Sequence, residues 1–205
     1  MKSIYGYAPT NVVTEVLNRN SQWENCLVVT DVTGSMYPYL AQFLLWHQKN
    51  LDIRKGNHDF VFFNDGDNIR DDLKIVGKVG GIYYKKTALY DTLKSKMSLA
   101  MQSGFGGDGP ENNIEAILFG LEKYPNCKEV ILIADNFASP CDMKLLQKIK
   151  VPVHVILCGA NSINVEYIKI AKKTKGSIHT IEQDLYNLDK LSFTEDDLWI
   201  SIDKK

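Results

Sequence analysis

Leu27-Val28-Val29-Thr30-Asp31-Val32-Thr33-Gly34-Ser35-Met36 is the stretch that decides the fold. A short apolar, β-branched run ends in an acid and then in two hydroxyl residues spaced two apart. An amphipathic segment follows, so the pattern predicts a buried strand, a polar loop and a helix. In an open α/β sheet the loops at the carboxyl ends of the strands form the ligand crevice, which puts Asp31, Thr33 and Ser35 where chemistry takes place.

Outward from this stretch, strand and helix patterns alternate. On the amino side, Thr10 to Asn20 carry Val13, Val16 and Leu17 at helical spacing, predicting a short lead-in helix. On the carboxyl side, Met36, Leu40, Phe43, Leu44 and His47 recur at intervals of three and four, with Pro38 tolerated in the first turn, so a helix runs to about Asn50. Phe60 to Phe63 read as a second buried strand. The Asp65-Gly66 pair before Leu73 to Gly77 predicts a hairpin and an antiparallel edge strand. That loop is not a calcium loop, because Val76 stands where the bidentate Glu would be required.

Thr87 to Gln102 predict a helix capped by Thr87, with Leu89, Leu93, Met97, Ala100 and Met101 on its inner face. Gly104 to Glu111 break it, and a new helix follows with Pro110 in its first turn and Ile114, Ile117, Leu118 and Leu121 inward. Val130 to Ala134 form the most apolar strand and end in Asp135-Asn136. A helix around Met143 to Ile149, a strand over Val153 to Leu157, a helix from Ser162 to Lys173 stopped at Gly176, and a strand over Ser177 to Ile181 complete the series. Leu198 to Ile202 read as an added edge strand or as the start of a further segment.

The alternation predicts an α/β fold: a doubly wound, mostly parallel, Rossmann-like sheet with one antiparallel edge strand and helices on both faces. Residues 1–24 are expected to be a helical lead-in and 25–183 the domain proper. Residues 184–205 are a C-terminal extension, packed on the domain or beginning a missing segment. At 205 residues, 44% of them hydrophobic, the chain can bury one sizeable core.

Composition excludes some functions. A formal charge of −1, a pI near 6.4 and scattered Lys and Arg give no footprint for nucleic acid, and Lys85-Lys86 and Lys172-Lys173 read as solvated faces. Met1 to Glu24 show no signal-like apolar run, and no segment reaches the length of a membrane span. Cys26, Cys127, Cys141 and Cys158 lack zinc spacing and read as buried thiols, with room for a Cys141–Cys158 bridge near the carboxyl edge of the sheet. The compartment stays open, the even cysteine count being the one lean toward the outside of the cytoplasm. His47, His58, His154 and His179 are spread over different elements and read as satisfied structural histidines.

Three loops are expected to converge on one crevice: Asp31, Thr33 and Ser35 from the first, Asp108 and Glu111 from the second, and Asp135 from the third. Hard oxygen donors without His or Cys suit Mg²⁺, Mn²⁺ or Ca²⁺ and not zinc. Neutral hydroxyls leave such an ion poorly neutralised. Asp31 and Asp135 can hold its waters or orient the hydroxyls, and the ion then wants one more anionic oxygen, which a partner's Asp or Glu can provide. Tyr37 and Tyr39, just past the loop, either line the rim of that crevice or pack into the helix interface. Asn112 and Asn113 are read as satisfying helix-terminal groups.

Asp31-Val32-Thr33-Gly34-Ser35 resembles the D-x-S/T-x-S motif that begins the metal-ion-dependent adhesion site (MIDAS) of von Willebrand factor A (VWA) domains, a similarity covering about Asn25 to Glu182. In that family a second loop before a helix and an acid after the fourth main strand complete the site, matched here by Asp108-Gly109-Pro110-Glu111 and by Asp135. Many VWA domains carry Thr in the second loop. The Asp-x-Pro-Glu form resembles integrin β subunits instead, which gives Glu111 a ligand role, while the usual Asp-Gly of the third loop is Asp135-Asn136. The resemblance implies Thr33, Ser35 and Glu111 as direct ligands of a divalent cation, Mg²⁺ foremost with Mn²⁺ or Ca²⁺ as alternatives. Asp31 and Asp135 would act through water, and Asp108 would organise the loop. It implies adhesion to a protein ligand that supplies an Asp or Glu carboxylate, without catalytic turnover.

The same residues also resemble a motif of another class. Asp31-Val32-Thr33-Gly34-Ser35 is similar to the nucleophile motif of haloacid-dehalogenase-type phosphohydrolases, and Gly107-Asp108-Gly109-Pro110-Glu111 to their acidic motif. Asp31 would then attack phosphate beside Mg²⁺. The second motif follows an amphipathic helix and a glycine-rich turn, not the hydrophobic strand that family requires, and Asp135 is left without a role.

Overall fold

The computed structural model describes residues 10–50, 58–64, 73–78, 80–86, 89–103, 111–159, 162–194 and 196–201. Helix α1 (Val12–Arg19) leads into β1 (Cys26–Asp31), followed by α2 (Tyr37–Asn50), β2 (Asp59–Phe63), β3 (Ile82–Lys85), α3 (Tyr90–Gln102), α4 (Asn113–Lys123) and β4 (Glu129–Asp135). Then come β5 (Val153–Cys158), β6 (Ser162–Asn164), α5 (Val165–Thr174), β7 (Ser177–His179), β8 (Asp184–Leu185) and β9 (Trp199–Ser201).

Among the described residues seven strands form one sheet in the order β3-β2-β1-β4-β5-β7-β8. The pairs β1–β2, β1–β4, β4–β5 and β5–β7 are parallel. This is the expected doubly wound α/β architecture. Every residue of β1 is buried, as a parallel strand covered on both faces requires. Leu27, Val29, Leu132, Val155 and Leu157 face α4 and α5. Val28, Ile131, Ile133 and Ile156 face α1, α2 and α3.

The edges differ from the expectation. The antiparallel strand beside β2 is Ile82–Lys85, not Leu73–Gly77, and β7–β8 adds a second antiparallel pair at the opposite edge. Leu73 and Ile75 alternate like strand residues but project into solvent, and Gly77, at a φ of 94°, turns the chain. Ile82-Tyr83-Tyr84 provide the β-branched and aromatic side chains that a half-buried edge favours. Asp65-Gly66 and Thr87 lie outside the described residues, and Leu89, expected inward, is exposed ahead of α3.

Two other elements differ in type. Met143–Lys148 is a 3₁₀ helix. Ser162–Asn164 is a strand that pairs with β9 in a separate two-stranded sheet, so the C-terminal strand is not an edge of the main sheet. Helix α5 starts at Val165, where the Asn164 side chain accepts the Glu166 N–H, and ends at Lys175 in the left-handed region (φ 60°). Gly176 therefore serves another need. A Cβ there would lie 1.8 Å from the Val153 carbonyl oxygen, so only glycine lets β7 begin against β5. All four cysteines are thiols. Cys141 is exposed and Cys158 buried within β5, so the Cys141–Cys158 bridge is not made.

Candidate metal centre

The strand order reverses between β1 and β4: the chain runs outward from β1 to β2 on one side and from β4 to β5 on the other. At such a switch point the two carboxyl-end loops diverge and leave a crevice. Asp31 ends β1 and Asp135 ends β4, and these neighbouring strands pair through Thr30 and Ile133.

The first loop is folded by its own acid. Asp31 Oδ1 accepts the Thr33 N–H at 2.8 Å and the Thr33 hydroxyl at 2.7 Å, closing an Asx-type turn. The Thr33 hydroxyl spends its only proton on Asp31, which leaves its lone pairs available. Ser35 Oγ lies 3.4 Å from Thr33 Oγ1. Gly34–Met36 form a 3₁₀ turn that hands the chain to α2. Asp31 is fully buried, Thr33 nearly so, and Ser35 half-buried.

The third loop is stitched in a similar way. Asp135 Oδ1 accepts the Phe137 N–H at 2.9 Å. Buried Asn136 donates from Nδ2 to Ser162 O (2.6 Å) and accepts the Asn164 N–H (3.1 Å), so its amide ties the end of β4 to β6.

Glu111 stands two residues before α4, and its backbone is pinned to the loop after β4. Its N–H donates to Ser139 O (3.0 Å), and its carbonyl accepts the Cys141 N–H (2.9 Å). The Glu111 side chain is buried. Asp108 and Pro110 lie outside the described residues. Helix α4 starts without a side-chain cap from Asn112; Asp142 Oδ2 accepts the Glu115 N–H at 2.7 Å instead.

Electrostatics show that the three acids share one neighbourhood. The phenol of buried Tyr167 donates to Asp135 O and Ala138 O, each at 3.0 Å. Burial, then the charges of Glu111, Asp31 and Asp135, hold its pKa far above the ordinary tyrosine value. Burial and then Asp135 and Asp31 likewise push the Cys158 thiol well up. Tyr39 is pushed up to about 12 by burial, Cys158 and Asp135. Tyr39 thus packs inward and Tyr37 is exposed. Tyr37 also lines an apolar groove of about 460 Å³ between α2 and α3, with Leu40, Leu44, Met97 and Met101.

The structure therefore gathers Asp31, Thr33, Ser35, Glu111 and Asp135 at one edge. Among the described residues no group of three or more His, Cys, Asp or Glu side chains is arranged to hold a metal, so any cation here would depend on the hydroxyls. The donor set suits a hard ion. Adjacent oxygens around an octahedral Mg²⁺ lie about 3.0 Å apart, so Thr33 and Ser35 need close by only a few tenths of an ångström.

Tyr167 and Asp142 were not legible as site residues: one reads as a core aromatic, the other as a loop acid 27 residues past Glu115, whose N–H it caps. Three of the histidines are hydrogen-bonded or ring-packed within the fold: His154 and His179 bond Ser177, and His47 lies against Phe43, while His58 is buried ahead of β2. No protein-family model, no curated protein and no solved structure matches the chain.

Proposed function

We propose that this chain is a VWA-type interaction domain whose β1–β4 crevice binds a divalent cation, Mg²⁺ foremost, and through it an Asp or Glu carboxylate of a partner protein. The observation that carries the reading is the pair of hydroxyl oxygens, Thr33 Oγ1 and Ser35 Oγ, 3.4 Å apart, with the Thr33 proton committed to Asp31. In this reading Thr33, Ser35 and Glu111 are the direct ligands. Asp31 orients the first hydroxyl, Asp135 acts through water, and Asp108 organises the second loop. Three carboxylates sharing a buried edge repel one another, and a divalent cation offsets that cost. When bound, the cation supplies a Lewis-acidic position for the partner's carboxylate.

The phosphohydrolase reading has less in its favour. Its nucleophile would be Asp31, whose carboxylate is fully buried and whose Oδ1 already accepts two hydrogen bonds. Calorimetric titration of Mg²⁺ and Mn²⁺ into wild type, Ser35→Ala and Glu111→Gln tests the proposal. Affinity should fall at least tenfold in each variant, and unchanged affinity in both would overturn it. Asp31→Ala is a poorer probe, since it also removes the acceptor that folds the loop.

A further inference from the structure

A second polar cluster lies near the amino ends of β4 and β5, remote from the crevice. Glu129 Oε2 is 3.1 Å from His154 Nε2, and His154 Nδ1 is 2.6 Å from Ser177 Oγ. Ser177 Oγ is 2.6 Å from His179 Nε2, and His179 Nδ1 is 2.7 Å from Asp184 Oδ1. Strand register builds this line, because Ile131 pairs with His154 and His154 with Ser177. The last three members have the connectivity of a hydrolytic triad. Ser177, however, is wholly buried, and its oxygen is already engaged by two imidazoles, so no substrate reaches it.

Four contacts at hydrogen-bond distance need four protons. The two carboxylates only accept, two neutral imidazoles supply one proton each, and the hydroxyl supplies one, for a total of three. One contact would then set lone pair against lone pair in a line that is buried or part-buried throughout. A fourth proton removes that conflict.

We propose that this cluster is a proton-binding site: it holds one excess proton at neutral pH, carried by His154 against Glu129, and that proton lets every bond of the line from β4 through β5 and β7 to β8 be made. The direction of every bond then follows. His179 Nδ1–H donates to Asp184, Ser177 donates to His179 Nε2, and His154 donates from both nitrogens. The alternative placement, on His179, requires His154 Nδ1–H to pass to Ser177 as the Ser177 proton passes to His179. Burial opposes it, since His179 is fully buried and its pKa is driven down to about 4 despite Asp184. Glu129 is held below the ordinary carboxylate range, its burial outweighed by the bonds from His154 and Cys26.

The charged and titratable groups around the line are consistent with this count. Arg19 of α1 bonds Asp184 Oδ1 at 2.7 Å, and Asn20 bonds Asp184 Oδ2 at 3.2 Å. Asp184 is accordingly lowered, with Arg19 and His179 overcoming its burial. Cys26 of β1 donates to Glu129 at 3.4 Å, and Tyr186 donates to Asn20 at 2.8 Å. With the extra proton, Glu129, His154, Asp184 and Arg19 sum to zero charge. Trp23 stacks on His154 with centroids 5.3 Å apart, a placement that favours a cationic ring.

Residue-assigned long-range ¹H–¹⁵N NMR of the full chain at pH 7 tests the proposal. His154 should show both ring nitrogens protonated, and His179 the neutral Nδ1–H form. In Glu129→Gln the amide supplies the fourth proton itself, so the imidazolium signature should vanish while the fold is kept. A neutral His154 in wild type, or an imidazolium that persists in Glu129→Gln, would overturn the inference. If the variant fails to fold, the wild-type spectrum decides alone.

Discussion

Replacing Thr33 by Val keeps the shape of a nearly buried side chain and removes only its hydroxyl. The lost bond is the 2.7 Å donation to Asp31, a buried carboxylate, and such a charge-assisted bond contributes about 2–3 kcal/mol. For a chain of this length that lowers Tm by roughly 5–10 °C in the presence of a chelator. Ser35→Ala removes a hydroxyl whose contact with Thr33 is long, at 3.4 Å, so its Tm without metal should stay within about 2 °C of wild type. A cation at a hundred times its Kd adds about 2.7 kcal/mol to wild type, again roughly 5–10 °C, and neither variant should gain it. Thermal melts of the three proteins with chelator and with excess Mg²⁺ separate the two roles. A Thr33→Val melt equal to wild type in chelator would refute the energetics of the Asp31 turn, and a full Mg²⁺ shift in both variants would refute the metal assignment.

Gly176→Ala drives a methyl group to 1.8 Å from the Val153 carbonyl oxygen, a backbone atom with no rotamer by which to yield. Urea unfolding should show a loss of about 3 kcal/mol or more, and a loss under 1 kcal/mol would contradict the tight β5–β7 contact. Burial raises the pKa of Asp142 from the ordinary 3.8 to about 7, so the folded chain holds more protons than the unfolded one between those values. The contribution of this group to stability is therefore fullest below pH 4 and falls as pH rises toward 7, by up to about 4 kcal/mol. Asp142→Asn should flatten that decline in denaturation curves taken from pH 4 to 8, and an unchanged slope would show that another group titrates.

Sequence made the central sheet legible because β1, β4 and β5 are covered on both faces and so read as continuous apolar runs. The margins were less so. Leu73 and Ile75 imitate a strand that only tertiary contact could make, and Ser162 to Asn164 pair with a strand more than thirty residues away. Asp31, Thr33 and Ser35 were visible as a group because five consecutive residues place them. Glu111 and Asp135 became neighbours of that group only through the strand order. The proton line could not be anticipated, since Glu129, His154, Ser177 and Asp184 lie on four strands and meet by register alone.

Glu111 owes its position to main chain on both sides, through Ser139 O and the Cys141 N–H. Pro140, between them, lacks a donor that the bridge does not use. Since any residue has a carbonyl and nearly any has an N–H, this attachment is indifferent to side-chain identity. Across evolutionary drift it would leave no conserved pair behind: positions 139 and 141 can change while the carboxylate of Glu111 keeps its place, and only proline at 141 would cut the tie.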